Sequence, residues 1–216
     1  TYARLLAGRA SLAVEAGGGG TSFRFVAAAR SQGFFAWLFR FRVDDRTVAE
    51  WDPGTSCSLG IEKRLREGRA ARDQVVRIDP VSGRVAVEDR KVAERVFSLQ
   101  PCVLDVLSAL FVTRARGVSE REPLRLPVFD NGKSYVLEVR FRGRERVDLP
   151  EPLGRRVPTV VVEPILAEGT GLFVKKGRLR IWLTDDERRL PVRLRSRVAI
   201  GSVSADLESY TPPSAP

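Results

Sequence analysis

The sequence contains no histidine. That excludes a Ser-His-Asp triad, a Cys-His pair and an imidazole metal site. Acid–base catalysis would then fall to paired carboxylates. Asp185 and Asp186 are adjacent, but aspartate is a usual turn residue because its side chain hydrogen-bonds to nearby backbone. Glu163 sits in VPTVVVEPIL (157–166), a segment apolar on both faces. A buried carboxylate there needs a partner, which Lys175, Lys176 or an arginine could supply. A structural ion pair is the simpler role, since such networks perturb carboxylates without catalysis. The run Gly17–Gly20 lacks the lysine and helix of a phosphate-cradling loop and reads as a hairpin tip. Cys57 and Cys102 are the only cysteines. They make a poor metal site and stand either as two buried thiols or as one disulfide. No enzyme, metal or cofactor is expected.

Binding chemistry has more to work with. Lysine plus arginine total 37 against 27 acids, a net charge of +10. Only five of the bases are lysine, at positions 63, 91, 133, 175 and 176. Such a balance suits an anionic partner, although a GC-rich genome also favours arginine codons. Alternation puts Arg178, Arg180 and Trp182 on one strand face, and Arg193, Arg195 and Arg197 on one face of the next. If the two strands pair across Asp185–Leu190, the six residues form one anion-docking patch with Trp182 stacked among guanidinium groups. A solvated outer face is the plainer reading. Two apolar groups also stand out. Phe34, Phe35, Trp37 and Leu38 form either a core plug or the wall of a ligand cavity. Leu172 and Phe173, in a glycine-flanked loop ahead of Lys175 and Lys176, are a lid, a lipid-touching tip or simply core.

These residues need a scaffold, and period two dominates it. Segments near 3–15, 21–30, 39–43, 56–67, 70–79, 84–90 and 91–97 alternate or read as strands, with turns at Asp52-Pro53-Gly54 and Asp79–Gly83. After residue 117 the chain is β again. Asn131-Gly132 supplies the two left-handed positions of a tight hairpin, and 157–166 should be a central strand. Strands near 178–183, 192–198 and 202–210 follow. One helix is expected over 105–115, with Asp105 as N-cap, Val106, Leu107, Leu110 and Phe111 as apolar stripe, and Gly117 as stop. The fold class is therefore mainly β: a single large curved antiparallel sheet of about 10–11 strands, an open half-barrel, with one or two short helices on its concave side. A single domain over 1–210 and a disordered tail at 211–216 follow. No run reads as a signal peptide, and none reaches the roughly 18 apolar residues of a membrane span.

The segment IWLTDDERRLPVRLRSRVAIGSVSADLESY (181–210) resembles the closing motif of a family of exported bacterial proteins catalogued as domain of unknown function 3108. Ala7-Gly8, DPGT (52–55), DVLSALFVTR (105–114), PVFDNGKSYVLEV (127–139), VVVEP (160–164) and GLFVKKGRLRIWLTDD (171–186) fall in the family's order. The resemblance implies a periplasmic or envelope-associated protein with a fold similar to periplasmic lipoprotein carriers. The cysteine pair and the four-glycine run are not part of the family pattern. An oxidising compartment would favour a Cys57–Cys102 disulfide. Export makes nucleic acid an unexpected partner. The leading expectation is a non-enzymatic carrier of an apolar or acylated ligand, bound by Phe34, Phe35, Trp37, Leu38, Leu107, Leu110, Phe111, Leu172 and Phe173. The alternative is an adaptor docking an anionic envelope protein or membrane surface through Arg178, Arg180, Trp182, Arg193, Arg195 and Arg197.

Overall fold

Among the described residues, alternation along the chain resolves into thirteen strands in two antiparallel sheets, not one sheet of ten or eleven. The computed structural model describes residues 8–32, 42–90, 92–151, 153–166, 179–198 and 201–212. The first sheet is a meander of β1 (Gly8–Ala16), β2 (Phe23–Ser31), β3 (Asp44–Asp52), β4 (Cys57–Glu67), β5 (Ala70–Ile78), β6 (Arg84–Asp89) and β7 (Val92–Ser98). The second is a meander of β8 (Leu124–Asp130), β9 (Lys133–Val147), β10 (Val157–Leu166), β11 (Leu179–Thr184), β12 (Pro191–Val198) and β13 (Gly201–Asp206). Each strand pairs with its chain neighbours, and neither sheet closes on itself. The break falls where α1 (Val106–Arg116) starts: β7 has no further partner in its sheet, and the next strand pairs forward.

Residues 1–109 and 127–134 form one structural unit, and 110–126 with 135–216 form the other. The helix begins in the first unit and ends in the second, and the β8–β9 hairpin begins and ends in the second with residues 127–134 in the first, so the units are not consecutive in sequence.

In the first unit, period two sorts side chains into rows. Phe25, Ala49, Ile61, Val76 and Val87 face one another across β2 to β6, and all five are buried. Two residues along, the same face carries Thr47, Lys63, Gln74 and Asp89, where Lys63 pairs with Asp130. Of the strand expected over 39–43, residues 39–41 lie outside the described residues; Val43 makes a single antiparallel bridge to Glu67, and β3 begins at Asp44. A disulfide joins Cys57 to Cys102 with Cα atoms 4.9 Å apart, tying the start of β4 to the approach of α1.

The helix start is built as its sequence suggests. Asp105 Oδ1 accepts from the backbone N–H groups of Leu107 (2.8 Å) and Ser108 (3.0 Å). Its Oδ2 accepts from the hydroxyls of Ser58 (2.7 Å) and Ser108 (2.6 Å). The Asp105 N–H in turn donates to Ser58 Oγ. The buried arc differs from the expected stripe. Val106 is exposed and Leu110 only half-buried, whereas Ser108, Ala109, Val112 and Thr113 are buried with Leu107 and Phe111. A serine can turn inward here because Asp105 satisfies its hydroxyl. At the far end Gly117 takes φ 74°, the left-handed conformation that favours glycine. Its N–H caps the Thr113 carbonyl.

In the second unit β10 is buried on both faces, with Val161 and Val162 each 1% exposed. Asn131 and Gly132 both take positive φ between β8 and β9, the tight hairpin that the dipeptide dictates. Val147, Leu149, Val161, Trp182, Leu190 and Val192 form one core cluster, with Leu207 and Tyr210 of the C-terminal segment packed against it. Of the tail expected at 211–216, residues 213–216 lie outside the described residues.

Candidate functional site

One face of the second sheet gathers most of the predicted docking residues. Across β11 and β12, Arg180 stands directly opposite Arg195, and Trp182 opposite Arg193. On β13 the partners of Arg193, Arg195 and Arg197 are Asp206, Ser204 and Ser202. The strand period thus places these side chains on a common face, as the alternation requires. Arg178 lies outside the described residues, as do Phe34, Phe35, Trp37, Leu38, Leu172 and Phe173.

The residues on this face play unequal parts. Trp182 is buried, so it is a core residue and not a ring stacked among guanidinium groups. The reason is its neighbour on β9: Glu145 Oε2 accepts the indole N–H at 2.8 Å, which lets the ring enter the core with its polar atom satisfied. Arg193 is spoken for as well. Its guanidinium grips both oxygens of Asp206, and that hydrogen bond, outweighing partial burial, holds its pKa above the ordinary arginine value. Arg180, Arg195 and Arg197 are exposed. Among the described residues none of the three has a hydrogen bond or ion pair. Like charges placed directly opposite in an antiparallel pair repel, so the Arg180–Arg195 pair is an unsatisfied positive centre.

The rim on β8, β9 and β10 adds five residues that sequence alone did not single out as a group. Glu138 is 4% exposed and held by Arg140 at 2.8 Å and Arg125 at 3.0 Å. The hydrogen bond from Arg140 leads in lowering the Glu138 pKa against the opposing cost of burial, with the Arg125 charge adding to it. Glu163 is also 4% exposed, and among the described residues its partner is Arg142; Lys175 and Lys176 lie outside them. A register shift between Val161 and Val162 introduces the extra β9 residue, so that Arg142 reaches Glu163. The acids are thereby sunk and their arginines lie outside them. Strand alternation puts Glu138, Arg140 and Arg142 on one side; the burial of Glu138 beneath the two arginines is a property of the folded sheet.

The other described candidates are paired or packed within the fold. Asp186 accepts from Thr184 Oγ1 at 2.5 Å and from Arg188 at 2.6 Å, and Asp185 pairs with Arg144 at 3.1 Å. Leu107 and Phe111 are buried, and Arg114 lies 5.1 Å from the Phe111 ring centre. No cluster of three or more His, Cys, Asp or Glu residues suited to a metal ion occurs among the described residues. No helix among them is long and apolar enough to cross a membrane.

The geometry joins what the chain is similar to. The family model described as "Protein of unknown function (DUF3108)" matches residues 1–208. A solved structure with similar architecture is a beta-barrel-like protein of the domain of unknown function DUF1849 from Brucella abortus. It is 11% identical with a TM-score of 0.59, over 93% of this chain and 86% of that one. At that identity the likeness shows the fold alone. No curated protein matches the chain. The chain belongs to the DUF3108 family.

Proposed function

We propose that this DUF3108 family member is a non-enzymatic envelope protein that docks an anionic partner, an acidic protein or membrane surface, through the basic face of its second sheet. The observation that carries the reading is the Arg180–Arg195 pair, two exposed guanidinium groups held opposite each other with no hydrogen-bond or ion-pair partner among the described residues. Arg197 extends the pair along β12, and Ser204 offers a hydroxyl beside Arg195. The Cys57–Cys102 disulfide supports an oxidising, extracytoplasmic compartment. The test is sedimentation with anionic vesicles, alongside pull-down on an acidic protein matrix, across a salt series. Wild-type protein should be retained at low salt and released as salt screens the face. Arg180→Glu combined with Arg195→Glu should abolish retention. Retention indifferent to both salt and charge reversal refutes the docking role.

A second reading has its own support. The carrier expectation rests largely on residues outside the described part, but β1 and β2 carry an apolar row of their own. Leu12, Val14 and Phe23 share one face and are 42%, 51% and 41% exposed. Such a row suits an apolar or acylated ligand. A fluorescent acyl probe whose binding is lost in Val14→Asp, with the melting temperature kept, would support it. A probe bound equally by both proteins would remove it.

A further inference from the structure

The first sheet repeats the like-charge motif in a different setting. On the face opposite the buried Phe25-to-Val87 row, Arg46 of β3 stands directly across from Arg64 of β4. Both are exposed, and neither has a hydrogen bond or ion pair among the described residues. They lie at one end of a groove of about 610 Å³. Its floor includes Val48 and Val75, both half-buried. Glu62 stands between those valines in register, facing Val48 on one side and Val75 on the other. The Glu62 carboxylate is likewise unpartnered among the described residues. Of the other charges lining the groove, Asp73, across from Arg64 on β5, is taken by Arg66 and Arg90, Glu88 by Arg77, Lys63 by Asp130 and Asp89 by Arg72, while Glu94 on β7 is unpartnered among the described residues.

Four charges are therefore left over in one groove: Arg46 and Arg64 side by side, Glu62 two residues along β4 from Arg64, and Glu94 on β7. Were Glu62 needed to quiet Arg46 or Arg64, either arginine is long enough to reach it. Instead the pattern is complementary to a compact zwitterion. A carboxylate is filled by one guanidinium fork, whereas two forks fixed side by side by strand register match an oxyanion with three free oxygens. The Glu62 carboxylate, nearest to the two forks along β4, matches an ammonium. We propose that this groove binds an aminoethyl phosphate group, with the phosphoryl oxygens on Arg46 and Arg64, the ammonium on Glu62, and the two-carbon link over Val48 and Val75. The same chemistry occurs as a free compound and as an ethanolamine phospholipid headgroup. The site is independent of the basic face of the second sheet.

The full chain carrying Arg180→Glu and Arg195→Glu is the starting protein, so that the other face contributes nothing. Titration with O-phosphorylethanolamine, followed by shifts of backbone amide and valine methyl resonances, should saturate and centre on Val48 and Val75. Arg46→Gln or Arg64→Gln should weaken binding by about tenfold, the scale of one lost charge-assisted contact. Glu62→Gln should weaken O-phosphorylethanolamine but strengthen inorganic phosphate, because it removes both the ammonium partner and the repulsion of a bare anion. Folding of each variant is checked by its melting temperature, which these exposed positions should leave within a few degrees. No saturable shift, binding unchanged in both arginine variants, or equal affinity for phosphate and O-phosphorylethanolamine each overturns the proposal. Sedimentation with phosphatidylethanolamine-containing vesicles, lost in Arg64→Gln, assigns the group to a lipid. Saturation by the soluble compound without sedimentation assigns it to a free ligand.

Discussion

Replacing Asp105 by alanine should be among the most damaging single changes outside the apolar core. The carboxylate is 1% exposed and accepts four hydrogen bonds, two from the α1 backbone and two from serine hydroxyls. Losing an aspartate N-cap costs about 1 kcal/mol. Ser58 and Ser108 are each fully buried, so their hydroxyls lose their acceptor with no water at hand, at about 1–2 kcal/mol apiece. The sum is roughly 3–5 kcal/mol, or a fall in melting temperature of about 6–20 °C for a chain of this size. Asn is the informative control. It keeps the cap through its carbonyl but offers an N–H₂ group where two hydroxyls donate, so it should cost about 1–2 kcal/mol. Urea unfolding followed by far-ultraviolet circular dichroism, with protein refolded from the same urea stocks, gives both numbers. A cost under about 1 kcal/mol for Asp105→Ala, or equal costs for the two variants, would refute this account of the network.

Other consequences are quicker to check. Converting Cys57 and Cys102 together to serine should cost about 3–4 kcal/mol if the 45-residue separation acts through unfolded-chain entropy; a melting curve with and without reductant reads it directly. Trp182→Phe should lose about 1 kcal/mol, the indole bond to Glu145, while Trp182→Ala should lose about 3–5 kcal/mol, since the ring is core. Equal small losses would return Trp182 to the surface role. For Glu138 the folded pKa lies below its ordinary value of 4.5, so its contribution is full above that value and disappears as pH falls through the folded pKa. The melting-temperature gap between wild type and Glu138→Gln should accordingly be constant near neutrality and close in acid; a gap that widens in acid contradicts the sign.

Much of the fold is written in local pattern. The Asp52 and Asp79 turns and the Asp105 cap each rest on a side chain meeting backbone a few residues away, the Asn131-Gly132 hairpin rests on two residues that accept positive φ, and short-range chemistry decides them all. Asp52, for instance, accepts from Gly54 and Thr55, and Asp79 from Val81 and Ser82. The two-sided burial of Val161 and Val162 was also legible, because a strand apolar on both faces has few other uses. The division into two sheets was not. Alternation says that strands pair with neighbours, and it is silent about which neighbour pair is missing. Trp182 misled for a related reason: its strand face was read correctly, but a face that is exposed at Arg180 is core two residues later, and only the position of Glu145 across β10 decides between them. The arginine pairs were visible as residues, whereas their lack of partners is a property of three-dimensional neighbours alone.

Strand order carries a consequence for assembly. In the first sheet every new strand adds to the one just made, so a chain delivered from its N-terminus can lengthen that sheet one hairpin at a time with short loop closures. Cys57 sits at the beginning of β4, yet its partner Cys102 arrives only after β5, β6 and β7. The thiol at Cys57 must therefore wait, reduced and unpaired, until three more strands have been laid down. The covalent bond then acts as a latch that records completion, closing over a sheet whose order is already set and fixing the point from which the helix departs.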